Sequence, residues 1–133
     1  MYNCKYHLIW CTKYRYPVMD GKQRYFMRDV LRQLCEWKKI EIIQGNVQLD
    51  HIHMLVEIPP AFSVSTTVGF LKGKSAIKVF NKFANLKKRY WGNHFWSKGY
   101  CATTVGLNEE QVKAYVRWQR KKDRDDDAQT KLF

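Results

Sequence analysis

The stretch LDHIHMLVEIPP, residues 49–60, decides how the chain is read. Ile52, Met54, Val56 and Ile58 alternate with His51, His53 and Leu55, the period of a strand with one apolar face. Pro59-Pro60 ends it, because proline cannot continue a hydrogen-bonded ladder. The apolar set belongs on a helix-covered face. His51 and His53 then project together from the other face, with their bases roughly 7 Å apart by strand rise. Two convergent imidazoles at that spacing can bind one divalent cation at about 2.1 Å per nitrogen, although histidines two apart on a strand also commonly occur by accident, without that role. Two ligands leave the coordination sphere open, so a third donor has to come from elsewhere.

Working outward, IEIIQGNVQLD (40–50) reads as the preceding strand, with Asp50 near a tight connection. CKYHLIWCT (4–12) is aromatic and β-prone and reads as a first strand, one that suits a sheet edge. Between them Phe26, Val30, Leu31, Leu34 and Trp37 form a helical stripe within 21–39. Ser63 can cap a second helix running to about Phe83, although Gly69 and Gly73 weaken it. Residues 84–96 lack a clear period and read as a loop, followed by a fourth strand over 97–105. Gly106 breaks that strand. Asn108 and Gln111 are spaced for reciprocal capping of a last helix, with Glu109 and Glu110 favouring its dipole. This helix is expected to run to about Lys122, leaving residues from about 123 to 133 as a frayed tail.

The order β-α-β-β-α-β-α predicts one domain over 1–133. It is an α+β sandwich of ferredoxin-like or RRM-like type: a four-stranded antiparallel sheet, helices on one face, and an added C-terminal helix. On that helix Tyr115 and Gln119 lie one turn apart on a shared face. If the face lies on the open side of the sheet, Gln119 can offer a carbonyl oxygen to the metal, and Tyr115 a phenol to a phosphate beside it. Periodicity alone favours Tyr115 as a packing residue beside Val112 and Val116.

Composition narrows the partner. With 133 residues, 24 Lys plus Arg against 12 Asp plus Glu give +12, which favours a polyanion, nucleic acid before membrane. No acidic residue falls between Glu57 and Glu109, where Lys72, Lys74, Lys78, Lys82, Lys87, Lys88, Arg89 and Lys98 lie. The phosphate contacts are assigned to Lys72, Lys74, Lys78, Lys87, Lys88 and Arg89, with Lys13 and Arg15. No apolar run reaches the roughly 20 residues of a membrane span, and the N-terminus has no signal-peptide character. Cys4, Cys11, Cys35 and Cys101 form no CxxC pair and read as reduced thiols of a cytoplasmic protein.

The blocks YHLIWCTKYR (6–15), LDHIHMLVEIPP (49–60), LKGKSA (71–76), WSKGYCATTVG (96–106) and VKAYVRWQ (112–119) jointly resemble one family. It is the small single-tyrosine transposases of insertion sequences, the IS-two-hundred/six-oh-five group of the HUH (His-hydrophobic-His) superfamily. The resemblance implies that Tyr115 is the nucleophile and that His51, His53 and Gln119 bind a divalent metal, Mg2+ or Mn2+. It implies cleavage and rejoining of single-stranded DNA through a 5′-phosphotyrosine, recognition of hairpins near the element's ends, and action at the nucleoid. It further implies a homodimer whose active sites can combine the His pair of one subunit with the tyrosine helix of the other. No nucleotide cofactor is expected, since LKGKSA lacks the P-loop spacing. Two other readings share the pattern: a non-enzymatic RRM-like RNA-binding module, and a histidine-dependent phosphoesterase. The first wants stacking aromatics where His51 and His53 stand, and the second wants two separated histidine motifs.

Overall fold

The computed structural model describes residues 5–89 and 94–131, with side chains for 5–86 and 94–125. The elements are β1 (Lys5–Cys11), a single 3-10 turn at Lys13–Arg15, α1 (Lys22–Trp37), β2 (Glu41–Val47), β3 (His51–Glu57), α2 (Val64–Lys82), α3 (Ala84–Arg89), β4 (Cys101–Thr103) and α4 (Glu109–Lys131). They form the expected α+β architecture, one antiparallel sheet in the order β2-β3-β1-β4.

The alternation of β3 builds the main core. Ile52, Met54, Val56 and Ile58 join Leu8 and Trp10 of β1 beneath Met27, Leu31 and Leu34 of α1 and Val68, Leu71 and Val79 of α2. Burying such side chains contributes about 1.5–3 kcal/mol each, so this layer dominates the stability. A smaller cluster lies on the opposite face, where Ile9 and Cys11 of β1 meet Val112 and Val116 of α4.

That second cluster corrects the placement of the first strand. β1 is central, not an edge, because alternate residues are buried on both faces, one set under α1 and α2 and the other under α4. The edges are β2 and β4.

Other boundaries also shift. Residues 84–89 form the short helix α3, not a loop; its one-and-a-half turns are too short to show a period, and buried Leu86 anchors it. Residues 90–93 lie outside the described residues. The fourth strand shrinks to Cys101–Thr103. Before it, the chain runs beside the end of β1 through a Thr12–Trp96 bridge, the Trp96 ring edge-on to Trp10 at 5.9 Å, and the Ser97 amide, which donates to the Cys11 carbonyl at 2.8 Å. It then turns through Gly99 at φ 89°, a conformation that favours glycine.

The C-terminal segment is not frayed from 123. α4 continues to Lys131, and Asp123 is buried where the helix crosses the 3-10 turn. Its carboxylate accepts from the Tyr14 amide and the Ser97 hydroxyl, so a polar residue anchors this stretch, which apolar periodicity does not reveal. At the other end of α4, Asn108 and Gln111 cap each other reciprocally, at 2.9 and 2.8 Å. Ser63 caps α2 by accepting from the Thr66 amide. Cys11, Cys35 and Cys101 are free, and Cys4 lies outside the described residues.

Candidate active site

Strand pairing fixes which side chains share the open face. His53 stands opposite Ile9 and Asn46, and His51 opposite Cys11, so both histidines lie on the face that α4 covers in part. They line a cavity of about 360 Å3 together with Asn46, Gln48 and residues of the α4 N-terminal turn.

Each imidazole has an outer partner. The Nδ1–H of His51 donates to Asp50 Oδ1 at 2.7 Å. The other oxygen of Asp50 accepts from Arg15 Nε at 2.8 Å. Despite partial burial, these partners hold the Asp50 carboxyl below its ordinary range, so it stays an acceptor and directs the Nε2 of His51 outward. His7 of β1 puts its Nδ1 3.4 Å from the Nε2 of His53. Burial, with His7 and His51 nearby, lowers the His53 pKa and keeps that ring neutral, the form that ligates metals. The two imidazoles, each held by a polar partner, offer two nitrogen donors to a divalent cation.

Tyr115 and Gln119 are brought together. The Tyr115 hydroxyl donates to Gln119 Oε1 at 3.3 Å, and Gln119 Nε2 donates to Asp123 Oδ1 at 3.2 Å. Gln119 is only 2% exposed, and its oxygen lies against the turn at Gly99, where a Cβ would approach to 3.6 Å. Burial, followed by the nearby Cys11, Cys101 and Asp123, pushes the Tyr115 phenol above its ordinary pKa.

The two halves sit on different flanks of α4. Glu109, Val112 and Lys113 border the histidine cavity, whereas Tyr115 packs beside Cys101 and Gln119 beside Gly99. Within one chain the Tyr115–Gln119 pair does not line the cavity that His51 and His53 line. Among the described residues, no group of three or more His, Cys, Asp and Glu is disposed to hold a metal.

The basic residues divide. Lys74 is exposed, Lys13 lies 5.1 Å over the Tyr14 ring, and Lys78 lies 5.5 Å over the Trp37 ring. Arg15 is engaged with Asp50. Lys72 is drawn inward, donating to the Ser97 and Gly99 carbonyls at 2.7 and 2.8 Å, and desolvation brings its pKa down to about 8. It braces the turn beside Gln119. Lys87, Lys88 and Arg89 lie on α3, and their side chains are outside the described residues.

Residues 1–119 match the family described as "Transposase IS200 like". The chain belongs to the IS200-like transposase family. It is 42% identical over 123 residues to the transposase for insertion sequence element IS200 of Salmonella typhimurium, covering 92% of this chain and 81% of that protein. It is 36% identical over 124 residues to the ISDra2 transposase TnpA of Deinococcus radiodurans, covering 92% and 89%. A crystal structure of a candidate transposase from Deinococcus radiodurans R1 superposes with a TM-score of 0.82 at 33% identity, covering 90% and 92% of the two chains. A REP-associated tyrosine transposase bound to a REP hairpin shares the fold at a TM-score of 0.57 and 15% identity, covering 87% and 64%. As an IS200-like transposase the chain is a DNA-processing enzyme, which sets aside the RNA-binding module and the phosphoesterase. Among its described residues, no helix is long and apolar enough to cross a membrane.

Four supporting residues carry no weight in the sequence reading: Asp50, His7, Ser97 and Asp123. Two of them had a usable signal. His7 falls in phase with Ile9 and Cys11 on β1, and Asp123 falls one turn beyond Gln119.

Proposed function

We propose that this transposase cleaves and rejoins single-stranded DNA at insertion-sequence ends through a 5′-phosphotyrosine on Tyr115. The observation that carries the reading is the Tyr115–Gln119 hydrogen bond on α4, set over the same sheet face that presents His51 and His53. Tyr115 Oη attacks the scissile phosphorus, and the bond from phosphorus to the 3′ oxygen breaks. The product strand leaves as a 3′-hydroxyl, and the 5′-phosphate stays on the protein. The phenol must lose its proton on attack, and its burial makes a base in the assembled site necessary. The reverse step lets a different DNA 3′-hydroxyl displace Tyr115 and join new strands, so no nucleotide cofactor is required.

His51, His53 and the Gln119 carbonyl oxygen would hold Mg2+ or Mn2+. Such an ion supplies Lewis-acid polarisation of the phosphate and offsets charge in the transition state. Asp50 and His7 keep the two imidazoles oriented for it.

The placement of Tyr115 and Gln119 on a flank of α4 away from the histidine cavity supports a homodimer as the active unit, with α4 of one subunit completing the histidine site of the other. The linker from Thr104 to Asn108 contains Gly106, a backbone suited to redirecting the helix. Subterminal hairpins are the recognised DNA feature, as the hairpin-bound relative of like fold suggests. Incubation with labelled single-stranded insertion-sequence ends should trap protein covalently on the 5′ fragment, with the adduct mapped to Tyr115. Cleavage without an adduct would contradict the nucleophile.

A further inference from the structure

The cleft between α1 and β2 has no part in the site described above. Arg24, Arg28 and Arg32 recur every fourth residue and form one row along α1. They border a cavity of about 210 Å3 whose floor is apolar, made by Leu31, Ile42, Ile52 and Met54. Tyr25 stands at the rim, 60% exposed, with the Arg28 guanidinium 5.1 Å from its ring centre. Among the described residues the one acidic partner of Arg28 is its exposed neighbour Asp29, at 3.4 Å, and Arg24 and Arg32 have none.

The far wall of the cleft is Gly45 and Asn46 of the edge strand β2. Asn46 also lines the cavity of His51 and His53. The two hollows therefore meet at one residue of the sheet edge, one on each face.

A row of cations over an apolar slot with an exposed aromatic rim matches the chemistry of a nucleotide, which has a charged backbone and a flat, stackable base. We propose that the α1–β2 cleft holds one nucleotide of the single-stranded DNA substrate. Its base enters the slot and its flanking phosphates lie on the arginine row. The strand crosses the β2 edge at Asn46 toward His51 and His53. This rests on the single-strand reading above.

The test is fluorescence anisotropy with a labelled oligothymidylate over a salt series, on variants whose thermal melts match the wild type. Each single-strand phosphate contact contributes about 0.7 to the slope of log K against log salt. The variant Arg24→Ala/Arg28→Ala/Arg32→Ala should therefore lose about 2 from that slope. Tyr25→Ala and Gly45→Val should each weaken binding about fivefold or more with the slope unchanged, because they remove stacking or fill the slot without removing charge. A Cβ at Gly45 would meet only Ile42 Cγ2 within 4 Å, at 3.6 Å, an ordinary contact, and the methyl groups of valine would narrow the slot. If the wild type binds and the triple variant keeps its slope, the cleft does not take DNA. A flattened slope with Tyr25→Ala and Gly45→Val binding normally would leave a phosphate track and overturn the base slot. A change in oligomeric state on Gly45→Val, with DNA binding intact, would assign the slot to a second copy of the chain. A wild type that does not bind the oligothymidylate would overturn the single-strand reading together with the slot.

Discussion

Gln119 donates from Nε2 to Asp123 Oδ1 at 3.2 Å, and this bond sets which way the amide faces. With the nitrogen committed to Asp123, Oε1 is directed toward Tyr115, whose hydroxyl donates to it. Asp123 also accepts from Ser97 and from the Tyr14 amide, tying α4 to the β1–α1 connection and to the approach to β4. Tyr14 and Arg15 take positive φ of 57°, a conformation uncommon outside glycine, and the bond to Asp123 helps hold it.

Asp123→Ala should therefore lower stability by about 1–3 kcal/mol, since it leaves the buried Gln119 amide and the Tyr14 backbone amide without their acceptor, while the Ser97 hydroxyl keeps the Thr12 carbonyl at 3.1 Å. Asp123→Asn keeps one acceptor oxygen and should fall between the two. Denaturant melts measure this; an alanine variant as stable as the wild type would mean that α4 is held by Val112 and Val116 alone.

Lys72 and Lys74 sit two residues apart in the basic run yet should behave differently. Lys74→Ala should leave the melt unchanged and take about 0.7 from the salt slope of single-strand binding, one phosphate's share. Lys72→Ala should lower Tm, because it frees the Ser97 and Gly99 carbonyls beside Gln119. A Lys72→Ala protein that melts like the wild type would show that those two hydrogen bonds add nothing.

His7 stands behind His53 as Asp50 stands behind His51. Partners of this kind typically affect metal affinity about 10- to 100-fold. His7→Ala should weaken Mn2+ binding by about tenfold in calorimetry, and His7→Asn, which keeps a polar atom near the Nδ1 position, should recover most of it. Equal affinities for all three proteins would remove His7 from the site.

Cys35 gives a pH prediction. Burial raises its thiol from 9.0 to about 12 in the folded protein. Between those values the unfolded chain has lost the proton and the folded chain retains it, so stability falls as pH rises from about 9 toward 12. One such group contributes about 1.4 kcal/mol per pH unit inside the window. Urea melts of wild type and Cys35→Val, compared at two pH values between 9 and 11, should show the variant losing less stability. Parallel losses would mean that this thiol titrates alike in both states.

The sheet and its helices were legible because β3 alternates strictly and because the α4 cap is written in Asn108 and Gln111. β1 misled because the basic turn after it, Lys13–Arg15, and its few β-branched residues suit an edge, whereas its apolar residues in both phases mark a strand buried on two faces. The site divides similarly. His51 and His53 enter the candidate site by spacing and resemblance and Tyr115 and Gln119 chiefly by resemblance, while Asp50, His7 and Asp123 enter through contacts across strands or one helical turn. The inward turn of Lys72 was not legible at all, since it depends on carbonyls 25 and 27 residues away.

The most direct measurement follows from the separation of Tyr115 from the histidine cavity within one chain. A Tyr115→Phe subunit lacks the nucleophile and a His51→Ala/His53→Ala subunit lacks the imidazoles, so each homodimer should be inactive on labelled single-stranded ends. After verified subunit exchange, the mixture should regain cleavage and covalent attachment at one site per heterodimer, with the adduct on the subunit that lacks the histidines. A mixture that stays inactive after exchange, or a protein that remains monomeric while cleaving, would contradict an active site built from two subunits.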